Sequence, residues 1–357
     1  MAAIYAGAIG AGFVTTSLNV PLPWMIGPML FACIAGLMGF SIRVPLVTRP
    51  IGQTVVAATV GLSFTPVAVA AIGQWLIAMV AVAVLTVVAG FLVAAILMRL
   101  TRIDVISACL ATIPIGPVET ANLAVRHGVS PGPVAFAQTL RIMLLVLVIP
   151  PVIVALDGSV GDPMAVLRDV EVDPFGALIL LGAATAGGLI LRRLKVSNPF
   201  FLGPLAGSAL VSALTLPVSA LPFIVLAGAQ VLLGVWLGAM FDRDLFTRSK
   251  SFVPAAFLST FLLIIACTAL ALGVSAVTGI RWTTMILATA PGSVTEMALT
   301  AKILQEGVAL VTAFHLTRIF IILPFAPLIF STTARVAYRY GWTSDGTESK
   351  ASPPSAE

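Results

Sequence analysis

Residues 74–98 read QWLIAMVAVAVLTVVAGFLVAAILM, a run without one charged side chain. A helix of that length covers about 37 Å at ~1.5 Å per residue, more than the roughly 30 Å hydrocarbon core of a bilayer. Comparable runs lie at 134–156, 177–191, 222–240, 252–279 and 308–333. Shorter or Gly/Pro-interrupted candidates lie near 3–18, 24–40, 51–72, 103–125, 199–216 and 282–301. No stretch alternates with period two, as barrel strands would. The reading is an all-α polytopic membrane protein. Composition agrees: 59% of residues are hydrophobic and 9% charged, where a soluble domain carries about 25% charge. Mean hydropathy is +1.12.

The formal charge of +5 could suggest nucleic acid as a partner. The basic residues sit in short loops between apolar runs, however, where they report membrane orientation instead. Cys33, Cys109 and Cys267 are widely spaced inside apolar stretches and read as small buried hydrophobes. Met1 to Gly12 has no basic region and reads as the start of the first membrane helix.

Four parts follow: a first membrane repeat over 1–156, an acidic extracytoplasmic linker over 157–174, a second repeat over 175–335, and a polar cytoplasmic tail over 336–357 expected to be disordered. The linker holds Asp157, Asp162, Asp169, Glu171 and Asp173 against Arg168. The two repeats align residue by residue. Gly27-Pro28 matches Gly203-Pro204 at an offset of 176. Gln53 and Gln230, Gly61 and Gly238, Pro114 and Pro291, Glu119 and Glu296, Arg141 and Arg318, and Pro150 and Pro327 all match at 177. Internal duplication of this kind is common in secondary carriers.

Orientation follows from lysine and arginine placement. Let each repeat have about five crossings plus one broken or re-entrant segment, at 103–125 and 282–301. One face then collects fourteen basic residues and the other only Arg168, Arg281 and Lys302, with Arg141 and Arg318 left inside the membrane. If every segment crossed, the faces would be nearly equal, against the positive-inside rule. An odd number of crossings makes the second repeat run inverted and puts both termini in the cytoplasm.

Glu119, Arg141, Glu296 and Arg318 lie deep in apolar surroundings as two equivalent sets. A charge there is costly, so each arginine is expected to have a partner, with the glutamates as candidates. Pro114, Gly116 and Pro117 break the helix before Glu119, as Pro291 and Gly292 do before Glu296. Broken backbone at membrane depth is tolerated where protein or a watery cavity surrounds it. Gln138 and His315 precede their arginines by three residues and share a helix face with them. With Ser293, Thr295 and Asn122 these residues form the candidate substrate- or ion-binding set. The alternative is structural pairing that locks helices together, and for His315 packing stands beside proton transfer. Gly234 and Gly238 read as an internal helix-packing pair. Trp24, Trp75, Trp236, Trp282 and Trp342 read as interfacial anchors.

Pro23-Trp24-Met25-Ile26-Gly27-Pro28, Pro291-Gly292-Ser293-Val294-Thr295-Glu296-Met297 and His315-Leu316-Thr317-Arg318 resemble the AbrB-type duplicated bacterial inner-membrane family over about residues 3–335. The first copy departs from that pattern, since Pro114-Ile115-Gly116-Pro117-Val118-Glu119 lacks the Pro-Gly start and the hydroxyl before the glutamate. The resemblance implies an inner-membrane location. Family labels such as ammonia monooxygenase, or regulation of gene expression, find no matching residues. His127 and His315 stand in different halves without a ligand cluster, and oxygen chemistry needs clustered metal ligands. A non-enzymatic, secondary-carrier-like protein moving a small anionic or polar solute is expected, without cofactor or metal. A membrane-embedded regulator acting through a partner is the alternative, and homo-oligomerisation is left open.

Overall fold

The computed structural model describes residues 2–101, 105–114, 116–126, 128–157, 171–241, 243 and 252–339, with side chains at 2, 101, 117–119, 252, 323 and 326–339 outside the description. Among the described residues every regular element is a helix. The first half carries α1 (Ala2–Ser17), α2 (Pro23–Leu37), α3 (Thr48–Gly61), α4 (Pro66–Gly73), α5 (Leu76–Thr101), α6 (Val105–Thr112), α7 (Pro117–Arg126) and α8 (Pro131–Asp157). The second carries α9 (Pro174–Arg193), α10 (Pro199–Ala213), α11 (Phe223–Gly238), α12 (Phe252–Thr278), α13 (Trp282–Thr289), α14 (Val294–Ile303) and α15 (Val308–Arg339).

The duplication extends to backbone conformation. Helices α6 and α7 recur as α13 and α14 with both ends displaced by 177 residues. Left-handed residues recur as well: Asn19 with Lys195, Leu22 with Asn198, Gly39 with Thr215, and Gly128 with Gln305. A non-glycine residue in that region costs about 1–2 kcal/mol. Leucine, lysine, threonine and glutamine have no local preference for it, so the packing of the flanking helices imposes these turns.

The halves interlock: α2 packs on α11 and α10 on α3. At Gly238 an added Cβ would lie 2.2 Å from the Met29 carbonyl oxygen, and at Gly61 it would lie 2.4 Å from Ser208 Cβ. Gly234 likewise abuts the Met25 carbonyl, so the Gly234/Gly238 pair serves internal packing. Gly27 meets the Ala11 carbonyl and Gly203 the Gly187 carbonyl, giving both Gly-Pro pairs a close-approach role. One apolar core, including Met25 and Val56 from the first half and Phe201 and Leu233 from the second, joins the two.

Helices α5 and α12 turn large apolar side chains outward, among them Ile77, Leu92, Phe261 and Ile265. On a water-facing surface so much exposed hydrocarbon would be unstable; against lipid it costs nothing. Where about ten crossings are expected, four helices among the described residues are long and apolar enough to cross a membrane: Leu76–Leu100, Pro131–Asp157, Pro174–Arg193 and Val253–Thr278. A fifth is counted if Thr48–Gly61 and Pro66–Gly73, bent by 87°, form one span. Helices α1, α2, α10 and α11 have 15 or 16 residues and cover about 22–24 Å, short of the bilayer core. Helix α15 runs on to Arg339, past the boundary at 335 expected for the second repeat. Most of the linker and the tail from 340 onward lie outside the described residues.

Candidate functional site

At equivalent places in the two halves a helix pair is broken, α6/α7 in the first and α13/α14 in the second, and proline accounts for the break. An α-helical carbonyl at position i accepts from the N–H at i+4. Pro114 has no N–H for the Leu110 carbonyl, and Pro291 has none for the Leu287 carbonyl. A buried carbonyl without a donor costs about 1–3 kcal/mol. Both are supplied from the helix that follows. Gln138 Nε2 donates to Leu110 O at 2.6 Å and to Ile113 O at 3.0 Å. His315 Nε2 lies 2.9 Å from Leu287 O.

The arginine one turn along completes each clamp. Arg141 Nη1 donates to Ala111 O at 3.3 Å and Thr112 O at 2.9 Å, and its Nη2 to Gln138 Oε1. Arg318 donates through Nη1 to Ala290 O and through Nη2 to Gly292 O, both at 2.8 Å, with Nη2 also 2.9 Å from His315 Nδ1. Because Nδ1 faces a donor, His315 is the neutral tautomer with its proton on Nε2. That arrangement favours the packing role for His315 over proton transfer.

Glutamate was expected to balance these arginines, and for Arg318 the structure corrects that reading. Arg318 makes no ion pair with Glu296: the described salt bridges are both made by Arg281. Carbonyls at the C-terminal ends of α6 and α13 take that place. They carry the negative end of the helix dipole, and a planar guanidinium can span several of them at once. Glu119 lies in the first turn of α7, with its side chain outside the described residues.

Arg141 and Arg318 line one cavity together with Pro114, Gly116, Gly292, Ser293, Val294 and Glu296. Its volume is about 80 Å³, where a single water needs about 10–15 Å³. The arginines are 2% and 4% exposed and Glu296 is 6%. The Nε atoms of both arginines and Oε2 of Glu296 are buried without a hydrogen-bond partner. Ser293 precedes the first turn of α14 without capping it and lines the cavity with Glu296. Thr295 is fully buried and accepts from Gln53 Nε2 at 3.4 Å. Asn122 is exposed on α7, away from the cavity lining.

Arg49, Gln53 and Trp236 were not among the candidate site residues: Arg49 is one of the fourteen basic residues assigned to one face, Gln53 a marker of the repeat and Trp236 an interfacial anchor. In the structure all three line the cavity, and the Arg49 guanidinium sits 4.5 Å over the Trp236 ring. One signal was available, since Arg49 and Gln53 are four residues apart and so share a helix face.

Beyond the cavity, the second broken pair closes on itself. Arg281, just before α13, lies 3.4 Å from Glu306, just after α14, and 3.1 Å from Asp157 at the end of α8. Thr284 Oγ1 donates to Glu306 Oε2 at 2.5 Å. The two ends of the 282–303 hairpin therefore meet.

The profile of a family described as "Transition state regulatory protein AbrB" matches residues 24–334. "Uncharacterized protein YhjN" of Bacillus subtilis (strain 168) is 24% identical over 339 residues, covering 88% of each chain. "Putative regulator AbrB" of Escherichia coli (strain K12) is 24% identical over 318 residues, covering 88% of this chain and 90% of that one. No solved structure matches. A match over nearly the whole length, together with a duplicated helical architecture, makes this chain a member of the AbrB family.

Proposed function

We propose that this chain is a secondary-carrier-like membrane protein that moves a small anionic solute through the cavity between its two broken helix pairs. One observation carries the reading: two arginines, one from each half, line the same cavity, and each has a buried Nε–H without a hydrogen-bond partner. Such a donor is costly unless a ligand supplies an acceptor. The start of α14, with the positive end of its dipole, favours negative charge at the same place.

In this reading the repeats are inverted, each with about five crossings and one re-entrant hairpin, both termini are cytoplasmic, and the membrane is the bacterial inner membrane. The meeting of Arg281 with Glu306 supports re-entry for 282–303. The cytoplasmic assignment rests on the positive-inside rule. The short helices α1, α2, α10 and α11 then require local thinning of the bilayer or burial among neighbours.

Purified protein in liposomes, assayed for uptake of a panel of labelled small anions under pH and sodium gradients, tests the proposal. Saturable uptake of at least one anion is expected. Binding without flux would favour a membrane-embedded sensor acting through a partner, a reading compatible with the regulator name of the Escherichia coli relative. Within the carrier reading Glu296 is the proton-coupling candidate. Glu296→Gln should flatten the pH dependence of uptake, and unchanged pH dependence would remove that role.

A further inference from the structure

The cavity is open on one side and closed on the other. Its rim, with Ser197, Asn198 and Trp236, is only half-buried, whereas Arg141 and Arg318 are nearly inaccessible. The lining ends at Ile142 on α8 and begins at Arg318 on α15. On the far side of those points Leu145, Val146, Ile149 and Ile153 of α8 and Val311 and Phe314 of α15 are buried in the shared apolar core. They plug the path between the cavity and the opposite face.

Beyond the plug, one guanidinium ties the two arginine-bearing helices together. Arg281 Nη2 lies 3.1 Å from both carboxylate oxygens of Asp157, and its Nη1 lies 3.4 Å from Glu306. Asp157 ends α8, about 24 Å beyond Arg141. Glu306 stands just before α15, whose first residue is about 15 Å from Arg318. The clasp has no counterpart in the duplication. At the offset of 177 its three positions are Asp104, Val129 and Ala334, a set without a cation. In the inverted arrangement those positions fall at the opposite face, the one toward which the cavity opens.

We infer that Arg281, Asp157 and Glu306 form the extracytoplasmic gate of the cavity. Paired, they hold the ends of α8 and α15 together over the apolar plug. Parted, they let the same two arginines be reached from outside. The Arg281 side chain is 59% exposed, so water can take over its hydrogen bonds, and a pair at that exposure is weak enough to open. Glu306 keeps the Thr284 hydroxyl in either state. The gate rests on the carrier reading above and adds to it the residues that control access from one face.

The test needs no identified solute. A Ser293→Cys reporter is labelled with a membrane-impermeant maleimide applied to each face of oriented membrane vesicles, the three native cysteines being buried. Labelling from the cytoplasmic face should be about tenfold or more faster than from the extracytoplasmic face. Adding Arg281→Gln should raise the extracytoplasmic rate about fivefold while leaving the cytoplasmic rate within about twofold. Arg281→Lys keeps the charge and should raise the extracytoplasmic rate less. Asp157→Asn, which weakens the tie to α8 alone, serves if Arg281→Gln does not fold. Equal rates from the two faces of the reporter protein overturn the gate, as does an extracytoplasmic rate indifferent to the substitutions. Equal acceleration from both faces would show general loosening and overturns it too. The anion-carrier reading survives each of these results, because the uptake assay decides it separately.

Discussion

The two broken helix pairs share one backbone plan and differ in what surrounds it. In each, proline strips a carbonyl of its donor, a side chain one turn before an arginine replaces that donor, and the arginine collects the loose carbonyls. Glutamine does this in the first half and histidine in the second. The second half adds Ser293 and Thr295 where the first has Gly116 and Val118. Gln53 finds a hydroxyl on Thr295, and its counterpart Gln230 is fully buried with both amide atoms unpartnered. Only the second hairpin is described as tied at its ends, by Arg281 and Glu306. Duplication thus supplied two scaffolds, and later divergence concentrated polar chemistry on one of them.

The largest effect should come from the arginines. Arg141→Ala and Arg318→Ala each orphan at least two carbonyls and should cost roughly 2–5 kcal/mol, read as a lowered Tm in detergent. If the clamps are equivalent the two costs agree within about 1 kcal/mol; a large disparity would break the comparison. Next comes His315. His315→Gln copies the first clamp into the second and should cost under about 1 kcal/mol, whereas His315→Leu leaves Leu287 O bare and should cost about 1–3 kcal/mol.

Arg281→Gln ranks lower, because the Arg281 side chain is 59% exposed and such pairs contribute little. Less than about 1 kcal/mol is expected, with faster hydrogen exchange over 281–307 as the local readout.

Much of this plan was legible in the sequence. Apolar run lengths established the membrane class, and offsets of 176 and 177 between marked residues revealed the duplication. The depth of Arg141 and Arg318 singled out the candidate site. What the arginines bind was not legible, because their partners are backbone carbonyls, and every residue type carries one. The clue was there in combination: Pro114 and Pro291 each free a carbonyl, and a polar side chain with an arginine follows at the same spacing in both halves. Arg49 and Trp236 were hidden for a different reason. Each sits near a helix end, where loop cations and interfacial aromatics are the ordinary reading, and only the packing of α3 against α11 places one over the other. Helix length was less legible, since segments that read as crossings fold as helices of 15 or 16 residues, short of the bilayer core.

The most direct measurement is the alkylation rate of a cysteine at Ser293. The three native cysteines are buried, so a Ser293→Cys protein should carry one reactive thiol, in the cavity beside both arginines. A small maleimide should label it in the membrane, and millimolar concentrations of a bound anion should slow labelling severalfold, while an uncharged solute of the same size should not. A thiol labelled at one rate whatever anion is present would contradict an anion site between the two breaks.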